Sequence, residues 1–257
     1  MNPSSDLNNW FVCPQTNPNL ETRLFIFPYA GGSPPAFWKW ATKFPDHIEA
    51  WITHYPGRGS RFNEPPIRRI DILVERLYQA IQPFLNKPFV FFGHSLGGLV
   101  AFELTRILQQ NDLPQPIILF VSACNAPQHP DPHPPLHTLP DAKFLMALEE
   151  FNGIPVEVLD NRELIKLLLP TLRADFEAFE KYRYRPNELL IDCPIATFGG
   201  KNDSRLSRED LEGWAAQTSS TFKSKYFSGG HFFIHSTNDD VMRSIVNEIM
   251  PLVTKDQ

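Results

Sequence analysis

Two kinds of apolar pattern alternate along the chain. Short unbroken runs end at turn residues: "RLFIFPYAGG" (23–32), "IEAWITHYPG" (48–57), "PFVFFGHS" (88–95), "QPIILFVSA" (115–123), "CPIATFGG" (193–200) and "TFKSKYFSGG" (221–230). Such runs predict strands, and most are apolar at successive positions, as strands covered on both faces are. Between them the apolar residues recur at helical spacing. Ile70, Leu73, Leu77, Ile81 and Phe84 share one face over 70–85, and Leu96, Val100, Leu104 and Leu108 share one over 96–110. A helix is also predicted over 207–218, with Ser207 and Asp210 as a weak capping box, and another over 239–253, with Met242, Ile245 and Ile249 inward. Strand–helix alternation of this kind predicts an α/β protein with a mostly parallel central sheet flanked by helices.

The pattern changes between about 127 and 190. Proline is abundant, at 25 residues, and clusters in "NAPQHPDPHPPLHTLP" (125–140). A disordered linker is one reading of that cluster. The flanks oppose it. "DAKFLMALEEFNG" (141–153) predicts a helix stopped by Gly153, and 160–182 predicts helix with Asp160 and Glu163 as a capping pair and a break or kink at Pro170. Both have apolar faces. The expected organisation is one sheet domain over 1–257 with a helical insertion.

Composition narrows the function classes. The chain has 257 residues, 21% charged, with a net charge of −5. Its basic residues are scattered, which argues against a nucleic-acid partner. No apolar run reaches membrane-spanning length. The N-terminal "MNPSSDLNNWFVCPQTN" has neither the basic start nor the apolar segment of a signal peptide. The three cysteines, Cys13, Cys124 and Cys193, suggest no disulfide frame and no zinc site, and Cys124 and Cys193 are expected as packed strand residues. A cytoplasmic, monomeric protein is the expectation.

Candidate chemistry starts at Gly93-His94-Ser95-Leu96-Gly97, which fits the G-x-S-x-G elbow and lies between a predicted strand and a predicted helix. That context places Ser95 at the apex of a sharp turn, with Leu96 N–H aimed where an oxyanion would form. Gly93 and Gly97 lack the Cβ atoms that would collide there. A serine nucleophile needs a base. Of eight histidines, His231 in "FSGGHFFI" follows a strand and completes the order Ser, acid, His; His235 is the runner-up. His94 should point away from the elbow, and His129, His133 and His137 sit among the prolines, where solvent exposure is expected. For the acid, Asp203 follows strand 193–200 directly, Asp192 lies at that strand's wrong end, and Asp210 belongs to the next helix. The edge of the preceding strand offers Asn125 and no carboxylate. The second oxyanion donor is expected from the loop after 23–27, at Ala30 N–H, with Tyr29 and Gly31 as register alternatives.

These motifs together resemble one family. "LFIFPYAGGSPPAFWKW", "YPGRGSRF", "GHSLGG", "FGGKNDSRL" and "FSGGHFFI" are similar to the type II, stand-alone thioesterases of nonribosomal peptide, polyketide and fatty acid synthesis, from about residue 22 to about 250. The resemblance implies an α/β-hydrolase fold with a helical lid. It also implies a Ser95–Asp203–His231 triad, oxyanion donors at Ala30 and Leu96, and no cofactor or metal. The partner it implies is a carrier protein whose phosphopantetheine arm presents the acyl thioester. Gly59 departs from the family pattern, where many members carry an acidic residue. A small-molecule carboxylesterase or lipase and a non-catalytic carrier-binding module are the competing readings. A fused terminal thioesterase domain is not expected, because the chain starts at Met1 and carries no carrier module.

Overall fold

A computed structural model of the chain describes residues 9–129, 131–150, 161–186 and 190–253. Among these, seven strands form one sheet in the order β1-β3-β2-β4-β5-β6-β7. The strands are β1 (Phe11–Val12), β2 (Thr22–Phe27), β3 (Ile48–Thr53), β4 (Phe89–His94), β5 (Leu119–Ser122), β6 (Ile195–Gly200) and β7 (Phe222–Phe227). All neighbours are parallel except β1, which pairs antiparallel with β3. The α/β architecture expected from the sequence is the observed one.

Two cores cover the sheet because successive side chains of a strand point to opposite faces. Phe25, Phe27, Phe89 and Phe91 face one side, with α1 (Ile70–Ile81) and α2 (Leu96–Gln110). Leu24, Ile26, Val90 and Phe92 face the other, with Trp40 and with Met242, Ile245 and Ile249 of the closing helix Asn238–Val253. Each such side chain contributes about 1.5–3 kcal/mol of burial. The helix expected over 70–85 ends its α-helical part at Ile81 and continues as one 3₁₀ turn, Gln82–Phe84, where Pro83 has no N–H to donate.

The insertion lies between β5 and β6. It contains α3 (Asp141–Glu150) and α4 (Arg162–Glu180), which share a small core of Leu136, Phe144, Leu148 and Leu172. The Arg173 guanidinium sits 4.6 Å from the Phe144 ring centre and donates to the carbonyls of His137 and Leu139, closing the proline-rich segment onto α4. That segment is therefore packed structure. Helix α4 runs through Pro170 without ending there. Thr171, the next residue, is buried and sends its hydroxyl 2.6 Å to the Gly57 carbonyl, a tertiary contact that sequence periodicity does not show. The N-cap of α4 is Asn161, whose side chain accepts from Leu164 N–H. Asp160 and Gly153, expected as cap and stop, lie outside the described residues. Cys124 and Cys193 are buried, but each lies two residues outside a strand, after β5 and before β6. Among the described residues, no helix is long and apolar enough to cross a membrane.

Candidate active site

The elbow is built by close main-chain contacts. Ser95 follows β4 with φ 52° and ψ −119°, a conformation that costs a non-glycine residue about 1–3 kcal/mol. Two hydrogen bonds hold it: Ser95 N–H donates to the Ser122 carbonyl at 2.7 Å, and Gly98 N–H donates to the Ser95 carbonyl at 2.8 Å. A Cβ on Gly93 would stand 2.1 Å from the Gly97 carbonyl oxygen, and one on Gly97 would stand 1.9 Å from that of Phe27. Both glycines are required by the approach of backbone to backbone, as the motif implies.

His94 is fully buried, with Nδ1 2.8 Å from the Ser122 hydroxyl and its ring centre 5.5 Å from that of His231. Burial holds its pKa well below the ordinary 6.5, and the neighbouring His231 and His235 push the same way. A histidine kept neutral in the folded state but free to protonate when unfolded contributes stability that is complete above pH 6.5. That stability is lost as pH falls below it. We therefore expect the melting temperature to drop less between pH 7 and pH 5 in His94→Gln than in the wild type. Parallel pH profiles in thermal melts would contradict this.

The candidate acid and base meet across two loops. β6 ends at Gly200 and β7 at Phe227; Lys201 N–H donates to the Phe227 carbonyl and Asn202 N–H to that of Gly229. A Cβ on Gly200 would stand 2.2 Å from the Gly230 oxygen, so the close approach of the two loops requires glycine at the end of β6. On this frame Asp203 Oδ2 lies 2.8 Å from His231 Nδ1, with the Asp203 side chain 1% exposed and its Oδ1 accepting from Arg205 N–H. A proton on Nδ1 facing the carboxylate leaves Nε2 as the basic nitrogen of the ring. His235, the alternative base, instead places Nε2 2.9 Å from the Tyr29 hydroxyl. Burial raises the Tyr29 pKa to about 12 and lowers that of His235. Asp210 is engaged in a full capping box with Ser207, and Asp192 accepts from the Ser219 hydroxyl.

Ser95, His231, Leu96 and Ala30 line one cavity, whose apolar wall comes from the insertion: Leu148, Leu172, Phe176 and Phe179. Asn125, Asp131, Glu180 and Arg205 supply polar groups to the same cavity. Of the three register alternatives on the 29–32 loop, Gly31 has its N–H engaged by the Asp175 carboxylate at 2.7 Å. Sequence reasoning singles out neither Asp175 nor its bidentate ion pair with Arg58; Arg58 stands only within the "YPGRGSRF" match. Glu180 was also missed. It accepts from Leu136 N–H and His137 N–H and lies 2.5 Å from His137 Nδ1, so that histidine is not a loose surface residue. Gly59 sits at φ +55°, and a Cβ there would stand 2.9 Å from His54 Nε2, a local reason for glycine at the position that departs from the family pattern.

The fold and cavity define a class, and comparison with known proteins gives it a name. The model of the thioesterase domain family matches residues 22–249, and the chain belongs to that family. Its likeness runs to particular stand-alone members. It is 40% identical over 245 residues to the gramicidin S biosynthesis protein GrsT of Aneurinibacillus migulanus, covering 95% of each chain. Among solved structures it superposes on the type II thioesterase BorB of the borrelidin biosynthetic cluster with a TM-score of 0.86 at 30% identity, covering 93% of this chain and 96% of that one. YbtT, a type II thioesterase of the yersiniabactin NRPS/PKS pathway, gives a TM-score of 0.85 at 29% identity, covering 95% and 99%.

Proposed function

We propose that the protein is a serine thioesterase that acts in trans on acyl groups borne by phosphopantetheine on the carrier proteins of a nonribosomal peptide or polyketide assembly line. The observation that carries the reading is the Asp203–His231 pair, 2.8 Å apart, opening onto the same cavity as Ser95 at its elbow. The carrier-bound substrate comes from the relatives: GrsT is a gramicidin S biosynthesis protein, and BorB and YbtT are type II thioesterases of such clusters.

In this mechanism Ser95 Oγ attacks the thioester carbonyl while His231 Nε2 takes its proton. The carbonyl oxygen becomes an oxyanion between the N–H groups of Ala30 and Leu96. The C–S bond breaks, and the phosphopantetheine thiolate leaves with the proton from His231. Water then gives a proton to His231 and attacks the acyl-serine ester. Collapse of the second oxyanion releases the acid and returns the proton to Ser95. Asp203 fixes the His231 tautomer and stabilises the imidazolium. The steps call on no metal and no cofactor. The apolar insertion wall, Leu148, Leu172, Phe176 and Phe179, receives the acyl chain and keeps bulk water from it.

Side-by-side assays separate the readings. With one acyl group presented as a carrier-bound thioester and as a small oxygen ester, kcat/KM is expected to favour the thioester. Faster turnover of the oxygen ester would identify a carboxylesterase instead. Stoichiometric labelling of Ser95 by a fluorophosphonate is expected, and its absence would indicate a binding module.

A further inference from the structure

The insertion helix α4 reaches the far side of the oxyanion loop through one carboxylate. Asp175 Oδ2 accepts from Gly31 N–H and from Arg58 Nη1, each at 2.7 Å, and Asp175 Oδ1 accepts from Arg58 Nη2 at 2.7 Å. Arg58 Nη1 also donates to the Gly32 carbonyl at 3.1 Å. Both side chains of the pair are 5% exposed. We propose that Asp175 is a positioning residue for the oxyanion loop, acting through Gly31 and held by Arg58. The proposal rests on the serine-hydrolase reading above.

The case is made by which peptides are held. Gly32 N–H donates to the Tyr29 carbonyl at 2.8 Å, closing a turn over 29–32, and Gly31 at its third position has φ +76°, as a type II turn requires. The Tyr29 carbonyl belongs to the peptide whose N–H is that of Ala30, so this bond orients the Ala30 donor. The next peptide, Ala30–Gly31, is the one whose flip interconverts type I and type II turns. Its N–H is the group that Asp175 accepts. The Gly31–Gly32 peptide is held by its own N–H, which closes the turn, and the Gly32 carbonyl, in the peptide after that, is the group that Arg58 holds. Four consecutive peptides are thus fixed, two of them by the ion pair.

A stability role alone accounts for this poorly. Burying two charges is expensive, and well-packed apolar residues often serve stability as well or better. Here both charges also satisfy main-chain groups of the loop that carries Ala30. The same turn of α4 docks beside them. Leu172 packs so closely that a Cβ on Gly31 would stand 2.4 Å from its Cδ2, and Thr171 donates to the Gly57 carbonyl. Leu172, Phe176 and Phe179 of α4 meanwhile line the cavity. The helix that forms the acyl wall therefore also sets the turn that presents the oxyanion donor.

The test uses the full-length protein, with active sites titrated to completion by a fluorophosphonate. It reads kcat and KM per titrated site on an aryl ester and on an acyl thioester, and the Kd of a boronic acid that forms a tetrahedral adduct at Ser95. Asp175→Asn is expected to lower kcat by about 10²-fold, the size of losing one oxyanion donor. KM should stay near the wild-type value, and boronate binding should weaken by a similar factor. Because an Asn side chain has one oxygen for the three donors that Asp175 serves, Asp175→Asn leaves Arg58 badly paired, and the double variant Arg58→Met/Asp175→Leu removes both charges. It is expected to recover thermal stability without recovering kcat, since leucine offers Gly31 N–H no acceptor. A kcat per site that is unchanged in Asp175→Asn, or that returns with stability in the double variant, overturns the proposal. A wild-type protein inactive on both substrates and unlabelled by the fluorophosphonate overturns the serine-hydrolase reading itself, and this inference with it.

Discussion

Ser95→Ala lowers kcat by about 10⁴-fold or more, and adding His231→Ala to it removes almost nothing further. In the proposed mechanism the two residues act in a single step. Without the hydroxyl there is no proton for His231 Nε2 to take, and without the imidazole the hydroxyl is a poor nucleophile. Asp203→Asn is expected to cost slightly less, because the amide can still hold the ring while favouring the wrong tautomer. The 2.8 Å contact at Nδ1 and the burial of Asp203 are what make the tautomer depend on that carboxylate. Single-turnover rates on an acyl thioester, with circular dichroism to confirm folding, measure the wild type, Ser95→Ala, His231→Ala, the double variant and Asp203→Asn. Losses that multiply between Ser95→Ala and His231→Ala would mean that the two do not share a step, and the triad assignment would fall.

Much of this site is legible in the sequence because its geometry is local. An elbow needs glycine two before and two after the serine, and the residues that would collide, Gly93 with Gly97 and Gly97 with Phe27, belong to the same strand–turn–helix unit or to its neighbouring strand. Asp203 and His231 are found by position, each after a parallel strand whose C-terminal end faces the cavity. Ala30 stands differently, since three adjacent N–H groups satisfy the same sequence pattern. Only the engagement of Gly31 by Asp175 removes one of them. Asp175 itself is invisible to pattern reading. It lies 117 residues from Arg58 on an amphipathic helix, where a carboxylate ordinarily faces solvent. Tertiary context likewise carries α4 through Pro170. It also adds β1, two residues long and too short for any periodicity, through its pairing of Phe11 with Thr53 and Val12 with Ile52.

The contact between Gly97 and β2 has a consequence for the oxyanion site that the triad variants do not probe. A Cβ at position 97 would stand 1.9 Å from the Phe27 carbonyl oxygen, 2.6 Å from its carbon and 2.8 Å from the Pro28 oxygen. All three are main-chain atoms, so no side-chain rotation relieves the overlap. In Gly97→Ala either α2 or the end of β2 must move, and β2 leads through Pro28 directly to Ala30. Overpacking of this kind costs about 1–3 kcal/mol, which a protein of this size can survive folded. The greater loss is geometric. Leu96 precedes the new methyl and Ala30 follows the strand it pushes, so the two proposed donors are driven apart. We expect kcat to fall by about 10²-fold or more with KM little changed, as for a lost oxyanion donor. Gly98→Ala is the control. Its Cβ would stand 3.0 Å from Val121 Cγ1, 3.1 Å from Cys124 Cβ and 3.3 Å from the Gly93 carbonyl oxygen, overlaps that a shift of a few tenths of an ångström relieves, and none of these three nearest atoms belongs to β2. That variant should lose stability while keeping kcat within a few-fold of wild type. Equal kcat in both variants, whether both intact or both reduced, would show that spacing between the elbow and the 29–32 turn does not set the rate.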